Sequence, residues 1–333
     1  ITGVTFKNMK LNHFTISAGS APGGSYSLGA LVGDLIDSQL DQIHVTDVQI
    51  TSAPASVATI WPLSFGGLVG FASGTNLTNC SVSGNSKIEV AYAGGAVSGA
   101  IGGLTGYLTD GSVSDSFSNA DVTTIPPPAM AGAVAGGLLG TWKASIASQT
   151  ITDSYATGSV SSIASSAGGL IGSLKSTAVG STQTIQRSFA TGSVEGIYAG
   201  GLVAANSDAS VNLTVEESFA SGDVTASHSA SGFIDISDVA GGPGGGAAVW
   251  SVRNSFASGA ISSDLQASGF VHAMTGGIGS GDLYTSVPSV TDAGHPGGDG
   301  WAMQDVTLTP GDDYYYWESG VGYPDPGNGE VSL

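Results

Sequence analysis

Apolar and small residues fall into a short pattern that returns along the chain. Two small residues are followed by a leucine, a second residue that is usually apolar, and another glycine. The pattern reads Gly66-Gly67-Leu68-Val69-Gly70, Gly102-Gly103-Leu104-Thr105-Gly106, Gly136-Gly137-Leu138-Leu139-Gly140 and Gly168-Gly169-Leu170-Ile171-Gly172. Looser copies stand at Gly29-Ala30-Leu31-Val32-Gly33, Gly200-Gly201-Leu202-Val203-Ala204, Ser231-Gly232-Phe233-Ile234 and Ser268-Gly269-Phe270-Val271. From Leu31 to Phe270 the leading apolar residue steps by 37, 36, 34, 32, 32, 31 and 37 positions.

A second element alternates with the first. Its clearest copy is Asp153-Ser154-Tyr155-Ala156-Thr157-Gly158-Ser159-Val160, with relatives beginning at Asp115, Arg187, Glu217 and Asn254. Asn79-Cys80-Ser81-Val82 is a further relative that places Cys80 in the serine column. Two elements recurring in phase at one period are the mark of a repeat architecture.

Each repeat offers two short strands and cannot enclose a core alone, so burial must come from stacking copies. The pattern therefore predicts an all-β chain, a parallel β-solenoid of about eight imperfect repeats of 31–37 residues. Eight rungs at ~4.8 Å would make a rod of roughly 40 Å. Leu68, Leu104, Leu138, Leu170 and Leu202 are expected to form one inward column. Phe117, Tyr155, Phe189, Phe219 and Phe256 are expected to stack inward as a second, beside a column of alanines. The Gly-Gly steps fit corners, where positive φ is often needed.

Competing folds fit less well. Interior glycines cost a helix ~1 kcal/mol each against Ala. A sandwich domain needs roughly 100 residues, about three of these periods. A propeller, at ~40–45 residues per blade, is the nearest rival, but it needs four strands where two are clear.

The four copies from Gly67 to Gly172 read Gly-Leu-Val-Gly, Gly-Leu-Thr-Gly, Gly-Leu-Leu-Gly and Gly-Leu-Ile-Gly. In this the chain resembles the GLUG-repeat family over roughly residues 25–275, and Ser154 to Val160 is similar to the family's companion element. The resemblance implies an extracellular place: such repeats occur in secreted and surface-attached bacterial and archaeal proteins, including large adhesins, and beside the catalytic domains of some surface proteases. The last three copies depart from the signature, with Ala204, Asp235 and His272 in place of the final glycine.

Residues 1–60 read as opening rungs, 61–280 as the solenoid repeats and 281–333 as an acidic, aromatic cap or contact segment. Pro126-Pro127-Pro128 and the run from Gly241 to Gly246 read as loops leaving the coil. The start at Ile1, without a methionine and already in a strand-like pattern, reads as a processed or trimmed piece of a longer precursor.

Composition narrows the function. The chain has 333 residues, 53 glycines and a formal net charge of −19 from 26 acids against 7 Lys and Arg. A nucleic-acid partner wants a basic footprint, so nucleic acid is not expected. No stretch reaches the ~18 apolar residues of a membrane span, so membrane insertion by this segment is not expected either. The single Cys80 forbids an internal disulfide.

Chemistry is sparse. No glycine-rich segment carries a phosphate-binding lysine. One cysteine and the scattered His13, His44, His228, His272 and His295 give no zinc spacing, and these histidines read as surface or corner residues. Polysaccharide hydrolysis would need two converging carboxylates ~5–10 Å apart. Asp235 with Asp238, or Asp312 with Asp313, supplies acids without showing convergence. No catalytic residue and no cofactor is assigned. Calcium is the one metal to weigh, with Asp292, Asp299, Asp305, Asp312 and Asp313 as candidate oxygen ligands. Trp301, Tyr314, Tyr315, Tyr316 and Trp317 either pack on the last rung or contact a partner. Asn76-Leu77-Thr78, Asn79-Cys80-Ser81 and Asn212-Leu213-Thr214 fit the N-glycosylation sequon.

The leading expectation is a non-catalytic extracellular surface module that binds a cell-surface carbohydrate or protein. A structural subunit of a filament, sheath or surface layer, contacting copies of itself, is the alternative. A β-helical polysaccharide-cleaving enzyme is the third.

Overall fold

Short strands that alternate inward and outward residues cannot bury their inner side singly, and here the repeat strands stack on their own copies. A computed structural model describes residues 1–18, 26–55, 63–92, 99–125, 133–146, 148–177, 181–204, 212–235, 250–272, 283–286, 290–292, 323–325 and 329–331. The chain winds as a parallel β-solenoid of about six turns, slightly fewer than the repeat count expected, with no helix among the described residues. Pro126-Pro127-Pro128 and residues 241–246 lie outside the described residues.

Three sheets form the walls. The first has eight strands, each following a Gly-Leu step or one of its looser copies, such as Val69–Ser73, Thr105–Thr109, Leu139–Ala144 and Ile171–Ser176. The second has fifteen strands and carries the companion element, for example Gln149–Thr152 and Tyr155–Ala156. The third has fourteen strands and leads each turn back to the next Gly-Gly step. Register is strict in the first sheet: Val69, Thr105, Leu139, Ile171, Val203, Ile234 and Val271 stand one below another.

The leucine column is as expected. Leu68, Leu104, Leu138, Leu170 and Leu202 are all fully buried, and buried Phe233 and Phe270 continue the column. Each backbone N–H in it donates to the next rung, as from Leu104 to Leu138 at 2.9 Å.

The Gly-Gly corners are needed for a reason other than the expected one. None of their glycines has a left-handed φ. Close approach decides: a Cβ on Gly137 would sit 2.1 Å from the Gly169 carbonyl oxygen and 2.7 Å from the Ala156 Cβ. A Cβ on Gly140, the last glycine of the same signature, would sit 2.4 Å from the Ile101 nitrogen.

Left-handed backbone occurs instead at other corners, at His13, Asp37, Asp47, Gly74, Gly84 and Asp110, and within the second sheet at Asn8, Gln42, Asn79, Asp115, Asp153, Arg187, Glu217 and Asn254, with φ between 46° and 58° at these last eight. This conformation costs an ordinary residue roughly 1–2 kcal/mol. From Asp115 onward the next residue offsets the cost. Buried Ser116, Ser154, Ser188, Ser218 and Ser255 each donate a hydroxyl hydrogen bond to the carbonyl two residues back. Each also accepts the N–H of the matching residue one turn earlier, at 2.9–3.2 Å. The result is a continuous internal serine ladder that satisfies the backbone where the bend interrupts the sheet. Cys80 heads it, donating its thiol to the Thr78 carbonyl at 3.4 Å. Burial pushes that thiol up to about 11.

The aromatic column is a correction to the sequence reading. Phe117, Tyr155, Phe189 and Phe219 are half-buried on the outer surface, and only Phe256 is buried. The inward neighbours are Ser118 and the alanines 156, 190, 220 and 257, all buried. Parity explains it: Ser and Ala of Ser-aromatic-Ala both face in, so the ring must face out. Only a methyl fits inside, because Gly137, Gly169 and Gly201 approach the alanines so closely.

At the start, Thr5–Asn12 pairs with Gln39–Thr46 and Thr15–Ala18 with Gln49–Ala55, as an opening rung. At the other end parallel pairing runs past residue 281, through Leu283–Ser286 and Val290–Asp292. An antiparallel pair, Tyr323–Asp325 with Gly329–Val331, is also described.

Candidate functional site

Outward residues of the second sheet form the most regular polar surface of the coil. In Gln149–Thr152 the apolar Ile151 is buried while Thr150 and Thr152 face out. The same parity repeats in every turn. One outward column runs Asn76, Ser112, Thr150, Thr184, Thr214 and Ser251; the next runs Thr78, Ser114, Thr152, Gln186, Glu216 and Arg253. Neighbours in a column are ~4.8 Å apart. The hydroxyls of Thr150, Thr152, Thr184 and Thr214 make no hydrogen bond within the described residues. They are offered to solvent or to a partner.

Charge lies along one border of this array, on the bend column. Arg187 donates from Nε to Asp153 Oδ1 at 2.7 Å and from Nη2 to Oδ2 at 2.8 Å. Its Nη1 stands 3.8 Å from Glu217 Oε2. The guanidinium hydrogen bonds hold the Asp153 carboxyl below its usual range and the Arg187 group above its own. Within the second outward column, Arg253 pairs with Glu216 one turn earlier. These pairs are exposed and are worth at most ~1 kcal/mol each.

Beyond the bend stands the aromatic column. Successive centroids are 4.9, 4.7, 4.7 and 5.0 Å apart from Phe117 to Phe256, with planes within 7° of parallel. Tyr155, Phe189 and Phe219 each stack on a ring neighbour at both faces and show solvent an edge. A sugar ring packs its C–H groups on an open aromatic face, which these three do not present. The column is a structural brace rather than a sugar platform.

Several residues singled out in the sequence are described. His13 Nε2 is 3.2 Å from Asp47 Oδ2, His44 Nδ1 is 2.9 Å from Ser81 Oγ, and His228 packs on Tyr198 with centroids 5.0 Å apart. Asp235 is buried in the first sheet, in the column of the final glycine, with His272 in the next register position. Asp292 ends a strand whose register partner is Ser263. His295, Asp238, Asp299, Asp305, Asp312, Asp313, Trp301, Tyr314, Tyr315, Tyr316 and Trp317 lie outside the described residues. Among the described residues no three His, Cys, Asp or Glu side chains gather as metal ligands, and no helix is long and apolar enough to cross a membrane.

Residues 62–88 match the family description of the GLUG motif. The chain carries a GLUG motif. The matched stretch is nearly one turn: the strand Leu63–Gly66, the Gly-Leu step, the left-handed bend at Asn79 and the entry to the third sheet at Ile88. The GLUG signature is thus a packing rule for one corner, set by the contacts that Gly67 and Gly70 leave open. No curated protein and no solved structure matches the chain.

The threonine array escaped the sequence reading. Its signal was present in Thr150-Ile151-Thr152 and Thr182-Gln183-Thr184, where polar residues flank an inward one at period two.

Proposed function

We propose that this protein is a non-catalytic extracellular surface module, in which the solenoid holds a binding face for a cell-surface carbohydrate. One observation carries the reading: Thr150, Thr152, Thr184 and Thr214 of the second sheet offer unspent hydroxyls over three consecutive turns. A repeating neutral polymer of hydroxyl groups is the chemical counterpart of such an array. Rigid presentation lowers the ordering cost of binding. The GLUG motif supports an extracellular place, since the families it resembles are secreted or surface-attached.

The test is co-sedimentation with insoluble polysaccharides and binding to a glycan array. The triple variant Thr150→Val, Thr184→Val, Thr214→Val should keep its fold and lose binding at least tenfold. Undiminished binding by the folded triple variant would remove the face from the reading. Release of reducing sugar from any polysaccharide would replace the module by an enzyme.

A further inference from the structure

Three sequons lie on the second sheet, and the fold treats them differently. Asn76 and Thr78 both face out and are exposed, while Leu77 between them is fully buried. Asn76 Oδ1 accepts the Ser112 backbone N–H at 3.0 Å. Its Nδ2 has no partner among the described residues and lies on the other side of the amide from that bond. Thr78 Oγ1 takes part in one exposed hydrogen bond, from Ser114 Oγ at 3.2 Å. An N-linked sugar replaces one Nδ2 hydrogen and leaves Oδ1 free to accept, so the Ser112 bond survives the modification.

The other two sequons are closed in part. Asn79 is exposed but sits at the bend with φ 51°, followed by fully buried Cys80. Its sequon hydroxyl, on Ser81, is 3% exposed and held by His44. Asn212 is half-buried at the start of its strand.

We infer that Asn76 is an N-glycosylation site of the folded protein, and that Asn79 and Asn212 are passed over. The donor is a lipid-pyrophosphate-linked oligosaccharide. Asn76 Nδ2 forms the bond to C1 of the reducing-end sugar and loses one proton. The C1–oxygen bond to pyrophosphate breaks, and the lipid pyrophosphate leaves with that electron pair. Asn76 opens the same outward column as Thr150, two turns away, but the assignment does not rest on the binding reading, because the triple threonine variant leaves the sequon intact.

Two measurements test it. Peptide mapping by mass spectrometry of the protein from the cells that make it should find a glycan on Asn76; a bare Asn76 overturns the assignment. The purified folded chain, given an oligosaccharyltransferase and its lipid-linked donor, should gain one glycan per chain. That gain should vanish in Asn76→Gln and in Thr78→Val, which keeps the asparagine, and persist in Asn79→Gln. Equal modification of wild type and Asn76→Gln, or joint occupancy of Asn76 and Asn79, would also overturn it.

Discussion

At the scale of single residues, two side-chain positions carry the interior. Leu138 is fully buried between Leu104 and Leu170. Leu138→Ala should cost ~2–5 kcal/mol, as a core truncation does. Outward Thr225→Ala should stay within ~0.5 kcal/mol. Denaturation midpoints compare them directly, and equal midpoints would deny the inward column. Gly137→Ala forces a methyl group into the Gly169 carbonyl and should cost at least ~1–3 kcal/mol, as overpacking does. The leucines were legible in the sequence because apolar type and repeat position agree. Ring orientation was not, because identity alone hides parity: Phe189 looked like core, but Ala190 occupies the inward slot.

Cys80 adds a pH dependence. Its thiol is raised from the ordinary 9.0 to about 11 in the fold, so the folded chain holds its proton where the unfolded chain releases it. Stability from this group is complete below pH 9 and is lost as pH rises toward 11. Urea midpoints measured from pH 8 to 11 should fall in the wild type and fall less in Cys80→Ser. Parallel curves would mean that the thiol is not held neutral.

At the scale of the element, each turn of the second sheet from Val113 to Ser258 is two short strands joined by a strained residue and repaired by a serine. Ser154→Ala removes the acceptor of the Ser116 N–H and the donor to the Thr152 carbonyl, both inside the coil. The loss should be ~1–3 kcal/mol, the penalty of a buried unsatisfied group. Ser154→Thr should be worse than neutral but keep the bonds, and thermal melts rank the three. The invariant serine before each aromatic was visible in the sequence, but its role was not. The bend needs a left-handed residue, and Arg187 and Glu217 are types that do not advertise one. Asn79, Asp115, Asp153 and Asn254 in the same column were the available clue. The threonine array was hidden for a related reason: Ser and Thr are so frequent here that only strand register separates inward from outward copies.

At the scale of the molecule, each turn touches little beyond the turns above and below it, so stability is a sum of turns and their interfaces. The opening strand shows the cost of lacking a neighbour. Phe6, Met9 and Leu11 are half-buried, while Leu40, Ile43 and Val45 in register beneath them are 0–1% exposed. Amide exchange should therefore be fastest in Thr5–Asn12 and slowest near Leu138 and Leu170. Uniform protection along the coil would argue for all-or-none opening instead.

Turns that superimpose column by column are interchangeable parts. Cutting out residues 169–200 joins Gly168 to Gly201 and restores Gly-Gly-Leu-Val at the seam, with Leu139 brought over Val203. The shortened chain should fold one rung shorter with an unchanged far-ultraviolet spectrum. It should also become salt-dependent, because Asp153 loses Arg187 and meets Glu217 across the seam. Unequal recombination between gene segments encoding such turns makes the same cut, or the reverse insertion, in a single event. The length of the coil is then a quantity that a lineage adjusts by copy number, without redesigning any contact.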